Sequence, residues 1–303
     1  MKKLVLLLIS LFVVFYSCDE AADLFGLDKD DDTGTGDGIR LKKIIEYEPD
    51  GVTLKSQNEF FYTNEKLTQI LEMEVNDEGV FEELQTRNFS YTSENKVEEE
   101  LIWKGSTTTP FNYFLSGGHI VKIENKDLRN GKWLVEERWE YTYNGDLLVE
   151  YLGSYDNEDG STSYYGKADY SYLNGMIFNE IHYMGGINNW YIWYQDSIFS
   201  SFDKIDSILR YNQEGNIIQK SFFYYNDTDL LETVEGFNVS QNTLQPLYSK
   251  QFSYNDENNL VHVEEARNNN TEVYKLEWEN GQGNEELFWK MAHQIEPGMP
   301  VFP

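Results

Sequence analysis

The side chains that most often carry chemistry are few in this 303-residue sequence, or scattered along it. Its four histidines, His119, His182, His262 and His293, form neither HExxH nor an i, i+4 pair, so no zinc-type ligand set is legible. Asp28, Asp30 and Asp32 alternate as in a calcium loop. Thr33, however, stands where the sharp turn needs glycine, and Ile39 where the bidentate glutamate belongs. No GxSxG, P-loop or GxGxxG occurs. A glycosidase-type pair could hide among the 53 Asp and Glu, but such a pair is defined by distance in space. The single cysteine, Cys18, excludes an internal disulfide and a thiolate zinc site. The residues therefore point to no catalytic group, no metal and no cofactor.

The most suggestive local group is Trp190, Tyr191, Trp193 and Tyr194, with Ile192 between them. Side chains alternate across a strand, so Trp190, Ile192 and Tyr194 should face one way and Tyr191 and Trp193 the other. Two readings stand. The segment is a core strand, or one aromatic face is exposed for a glycan or protein ligand, since sugar C–H faces stack on such rings.

The elements that would position these residues are strands. The chain has 22 Tyr, 18 Phe and 7 Trp, and aromatic residues pack well on a pleated surface. One unit recurs: two aromatics spaced by one residue, a polar turn, then an aliphatic pair. It runs Phe60, Tyr62, Leu67; Phe89, Tyr91, Val97; Trp139, Tyr141, Tyr143, Leu147; and Tyr170, Tyr172, Ile177. It returns at Leu209, Tyr211, Ile217; Phe223, Tyr225, Leu230; and Phe252, Tyr254, Leu260. Tyr62 to Tyr91, Tyr143 to Tyr172 and Tyr225 to Tyr254 are each 29 residues, with a weaker turn inside each interval. Asn-Gly at 144–145 and 174–175 is a strong hairpin signal, because a type I′ turn needs positive φ at both central residues. The expected fold is all-β: an antiparallel meander of repeated hairpins over 39–283, an extended curled sheet or open barrel. Leu287, Phe288, Met291, Ala292 and Ile295 then fall on one helical face, which predicts a short C-terminal helix within 284–303 covering an edge.

This unit resembles the YD (RHS-like) repeat, and more closely the hairpin-repeat lipoproteins of the Bacteroidetes type. The resemblance implies architecture and says little of activity. The N-terminus agrees with it. Residues 1–17 carry Lys2 and Lys3, an apolar run from Leu4 to Phe15, and Ser17 before Cys18. That is a signal peptide too short to span a bilayer comfortably. Phe15 to Cys18 resembles a lipobox, which implies acylation of Cys18. Acids directly after the cysteine, here Asp19 and Glu20, resemble a surface-display signal in such lipoproteins. Residues 18–38 are rich in acid and glycine and read as a disordered tether.

Net charge is −29; without the first 17 residues it is −31, a surface that repels phosphate backbones and anionic headgroups. Nucleic acid is therefore not an expected partner. Membrane contact would come through lipid on Cys18, with an outer-membrane, surface-exposed location. The expected function is a binding or adhesion module for an unidentified ligand, a glycan among the candidates. A structural envelope component is the alternative, and a hydrolase the reading with least support.

Overall fold

The computed structural model describes residues 39–280 except 104–105, 108–110, 130–131, 158, 187–188, 202–203, 242 and 268–269. The signal peptide, Cys18, the tether and the expected 284–303 helix lie outside the described residues. Among the described residues all regular structure is strand. The first strands are β1 (Ile39–Tyr47), β2 (Leu54–Thr63), β3 (Lys66–Val75), β4 (Phe81–Ser93), β5 (Lys96–Trp103), β6 (Ser106–Thr107), β7 (Phe111–Ser116), β8 (His119–Arg129) and β9 (Lys132–Asn144). There follow β10 (Leu147–Asp156), β11 (Thr162–Leu173), β12 (Met176–Met184), β13 (Tyr191–Ser201), β14 (Lys204–Tyr211), β15 (Ile217–Tyr225), β16 (Leu231–Ser240), β17 (Thr243–Tyr254), β18 (Leu260–Arg267) and β19 (Asn270–Asn280).

Each strand pairs antiparallel with its sequence neighbours, except that the two-residue β6 pairs only with β5, and β5 continues to β7. Eighteen strands therefore form the ring, and β1 closes it by pairing with β19 from Ile39↔Asn280 to Tyr47↔Val273. This corrects the expected open sheet or open barrel. The first and last strands would each have left a row of unpaired N–H and C=O groups, and their mutual pairing removes both edges.

Hairpins alternate between two ends. At the near end, where the described chain enters at Ile39, tight turns join β2 to β3, β9 to β10 and β11 to β12. Asn64 and Glu65, and Asn174 and Gly175, hold the positive φ such turns require. The five-residue turns at 226–230 and 255–259 use Asn instead: Asn226 Oδ1 and Asn255 Oδ1 each accept two backbone N–H bonds. The weaker turn signals, such as 76–80 and 157–161, lie at the far end.

The repeated tyrosine has a specific task. Its ring points inward, and its hydroxyl donates to a main-chain carbonyl on the strand before it: Tyr62 to Leu41, Tyr91 to Leu67, Tyr143 to Ile120, Tyr172 to Leu148, Tyr225 to Ile205 and Tyr254 to Leu231. Trp278 Nε1 does the same to Leu260, and the seven bonds run from 2.7 to 3.2 Å. In each pair the two strands are neighbours in sequence and their connection lies at the far end. The tyrosine thus ties successive near-end hairpins together, which is why Tyr and the aliphatic residue recur in step.

The ring is not hollow in this half. Leu41, Ile123, Val234, Leu260 and Val263 are 0 % exposed, and one apolar cluster takes residues from the whole ring. An 18-strand ring drawn as a circle would enclose an aqueous channel. Side chains with no solvent contact on either face require that their own packing fills the near half.

Candidate functional site

Towards the far end the inward positions change character. Arg87 donates from Nε and Nη2 to Glu99 at 2.6 and 3.1 Å, and Tyr113 donates to the same carboxylate. Arg210 grips Asp196 in the same two-pronged way at 2.8 and 2.6 Å. Its guanidinium lies 4.1 Å over the Tyr194 ring, whose other neighbour is His182, stacked at 4.2 Å and bonded to Glu180. Lys250 meets Glu265 at 3.1 Å, and Ser56 donates to Glu46 at 2.8 Å. Buried charges persist only when compensated, and each of these has an opposite charge or a hydrogen-bond donor beside it.

Burial sets their proton affinities. It pushes Glu72 up to about 7, with the negative Glu74 and Glu46 reinforcing it and Arg87 opposing. It also raises Asp196 against the pull of Arg210, and lowers the Lys250 ammonium against the pull of Glu265. His182 with Glu180 has the composition of an acid–base pair. At 6 % and 1 % exposed, neither group is open to a substrate, so the pair is structural.

The aromatic segment at 190–194 does not stay together on one surface. Residue pairing steps from His182↔Tyr194 to Tyr183↔Ile192, so Trp193 is the extra residue of a bulge and the simple alternation of faces fails there. Tyr194 goes into the interior, 4 % exposed, beneath Arg210. Trp193 meets its ring edge-on at 5.0 Å and is half-buried. Trp190 is half-buried just ahead of β13, while Tyr191 is 50 % exposed and Ile192 is also open. The exposed part therefore sits at the far end, opposite the point where Ile39 enters.

A second far-end feature lies beside it. Glu136 and Glu137 of β9, Tyr155 and Asp156 of β10 and Tyr165 of β11 line a cavity of about 410 Å³. The Tyr155 and Tyr165 rings stack at 6.3 Å and 25°. Arg138 Nη1 and Nη2 hold Asp156 at 3.2 and 3.1 Å. Tyr165 lies flat against Gly153, where a Cβ would come within 2.8 Å of its Cζ. The repeat pattern hid this site, since its residues sit in the weak half of each repeat, where no unit was legible. The pair of aromatics at either end of the 156–160 turn was the available signal.

No protein-family model matches the chain, and a search of curated proteins finds no significant match. Among solved structures, a porin-like protein from Bacteroides uniformis is similar over 79 % of this chain and 98 % of its own, with 10 % identity and a TM-score of 0.44. A porin-like protein from Bacteroides vulgatus is similar over 78 % and 97 %, with 9 % identity and a TM-score of 0.31. A TcdB2–TccC3 structure is similar over 74 % of this chain and 14 % of its own, with 8 % identity and a TM-score of 0.26.

The outward face bears on how such a barrel could meet lipid. Lys43 pairs there with Glu59 at 2.8 Å, and Lys167 with Glu150 and Asp169 at 2.9 and 3.0 Å, all within strands. A lipid-facing lysine at the bilayer midplane costs about 2–4 kcal/mol, so these two positions suit water.

Proposed function

We propose that the chain is an exported lipoprotein, held on the outer membrane by acyl chains on Cys18, that displays its far end at the cell surface as a binding module. The observation that carries this reading is the opposition of ends. The tether would deliver the domain at Ile39 on the near end, while Tyr191, Ile192 and the Tyr155 cavity open at the far end. Two or more acyl chains suffice for stable attachment, at about 0.8 kcal/mol per buried methylene. The charged outward face supports a domain standing in water beyond the bilayer. The ligand expected at the far end is a glycan or a protein segment with sugar-like or polar groups to stack on tyrosine.

Labelled palmitate tests the anchor: incorporation into the wild-type chain and its loss in Cys18→Ala are expected, and equal labelling of both would overturn it. Protease treatment of whole cells tests display, since rapid loss of the domain is expected and full protection would overturn surface exposure. A glycan array probed with the full chain, beside Tyr191→Ala, tests binding. Retention of ligands that the variant loses is expected, and an array without any hit removes the glycan reading.

A further inference from the structure

We infer that Glu72 is a built proton site: the folded chain holds it as the neutral acid, donating to Gln85 Oε1, and the far-end part of β2–β4 loosens when that proton leaves. The site is independent of what the far end binds.

Glu72 is buried on the inward side of β3, 6 % exposed, so an ion there keeps almost no water. The cations around it are already committed. Arg87 of β4 gives Nε and Nη2 to Glu99 of β5, and Tyr113 of β7 donates to the same carboxylate. Lys55 and Ser56 of β2 both donate to Glu46 of β1. Glu74, on the same strand as Glu72, adds only negative charge. Glu72 is therefore a surplus acid inside the wall.

Its cross-strand neighbours are uncharged amides. Asn58 stands opposite it on β2 and Gln85 opposite it on β4, both 4 % exposed. Gln85 Oε1 is buried and accepts no hydrogen bond among the described residues. Side chains directly opposed in an antiparallel pair have Cβ atoms about 4.5–5.5 Å apart, within reach of a carboxyl and an amide. An ionised carboxylate only accepts, and would leave Gln85 Oε1 orphaned. The neutral acid supplies the one donor that oxygen needs. Burial acts in the same sense on the proton affinity of Glu72, with Arg87 opposing and Glu74 and Glu46 reinforcing.

Other arrangements fit less well. A reversed Gln85 amide could donate Nε2 to an ionised Glu72, but the surplus charge would stay buried without a cation of its own. A metal ion needs convergent ligands, and among the described residues no three Asp, Glu, His or Cys side chains stand close enough to hold one. Loss of the proton sets a new charge beside Glu46 and Glu74 and takes the donor from Gln85. Both effects fall on the strands that carry the far-end turns at 48–53 and 76–80.

NMR of the full chain with 13C-labelled glutamate carboxyls, from pH 5 to pH 9, tests this. The resonance missing from Glu72→Gln should titrate with a midpoint near 7, well above the usual ~4.3. The Gln85 side-chain amide, assigned through Gln85→Met, should shift with the same midpoint. Hydrogen exchange at Leu71 to Met73 and Leu84 to Thr86, corrected for its intrinsic pH dependence, should quicken at least about tenfold between pH 5 and pH 8.5, since each unit of pKa difference is worth about tenfold. It should stay flat in Glu72→Gln, whose amide donates in place of the acid proton. A Glu72 resonance that titrates in the ordinary carboxylate range overturns the proposal. So does a Gln85 amide indifferent to that titration, or exchange that quickens equally in Glu72→Gln. Should the variant fail to fold, the wild-type spectrum decides alone, and the absence of any glutamate midpoint above pH 6 overturns the site.

Discussion

The two halves of this barrel solve the same problem with opposite chemistry. Near the entry end, inward positions are mostly Leu, Ile, Val, Phe and Tyr, and the hydroxyls of the repeated Tyr62, Tyr91, Tyr172 and Tyr254 each find a main-chain carbonyl. Towards the far end, inward positions carry Arg87, Glu99, Asp196, Arg210, Lys250 and Glu265, arranged as pairs. The near half gains from apolar burial, about 25 cal/mol per Å², and from small repeated hydrogen bonds. The far half gains little net free energy from its ion pairs, because desolvation offsets most of their attraction. What it obtains is a shaped, polar rim. Repetition therefore concentrates where stability is made, and irregularity where a ligand could be met.

Arg210→Ala should expose the difference most sharply. It leaves Asp196 buried and unpaired, and a loss of about 3–5 kcal/mol is expected in urea unfolding. Replacing both by well-packed apolar residues, Arg210→Met with Asp196→Leu, should recover most of it. A loss below 1 kcal/mol for the single change would mean that water reaches this half freely.

Glu72 gives a pH-dependent contrast. Its folded pKa is raised to about 7 from 4.5, so protonation favours the fold. That contribution is complete below about 4.5 and is lost as pH rises through about 7. Glu72→Gln should therefore be more stable than wild type at pH 8, by up to roughly 3 kcal/mol, and nearly equal to it at pH 4.5. The difference between the two unfolding curves at both pH values checks this, and a pH-independent difference would contradict it.

Gly236→Ala should cost about 1–3 kcal/mol. The Tyr248 ring lies directly on Gly236, where a Cβ would stand 1.9 Å from its Cε1, so the ring must move and give up its 2.8 Å bond to Ser221. If the cost is the lost bond, Gly236→Ala should cost little more on a Tyr248→Phe background; if it is the clash, the full cost should persist there and fall only with a smaller side chain at 248.

The smallest effect belongs to the near-end belt. Tyr254→Phe keeps the ring and removes only the hydroxyl bond to Leu231, for about 1 kcal/mol. Similar costs at Tyr91 and Tyr172, adding nearly independently, would show seven local ties; strong coupling between them would show one cooperative belt.

Strands, turns and their order were readable in the residues themselves. Alternating aromatics, Asn-Gly and Asn-Asp turns, and the 29-residue interval are local properties, and hydrogen bonding between sequence neighbours satisfies them within one hairpin. The role of each repeated tyrosine was not readable, because its acceptor lies 20 to 24 residues back, on a strand brought alongside only by the meander. Closure was likewise outside the reach of pattern: Ile39 and Asn280 meet because 18 strands curl far enough for two unpaired edges to satisfy one another. The ion pairs and the Tyr155 cavity were hidden for the same reason, since a charged residue at an alternating position reads as solvent-facing until the opposite wall is known. Local geometry follows from the chain's own chemistry. Which polar groups share a dry interior, and which end is left open, is settled only when distant strands come within a few ångströms.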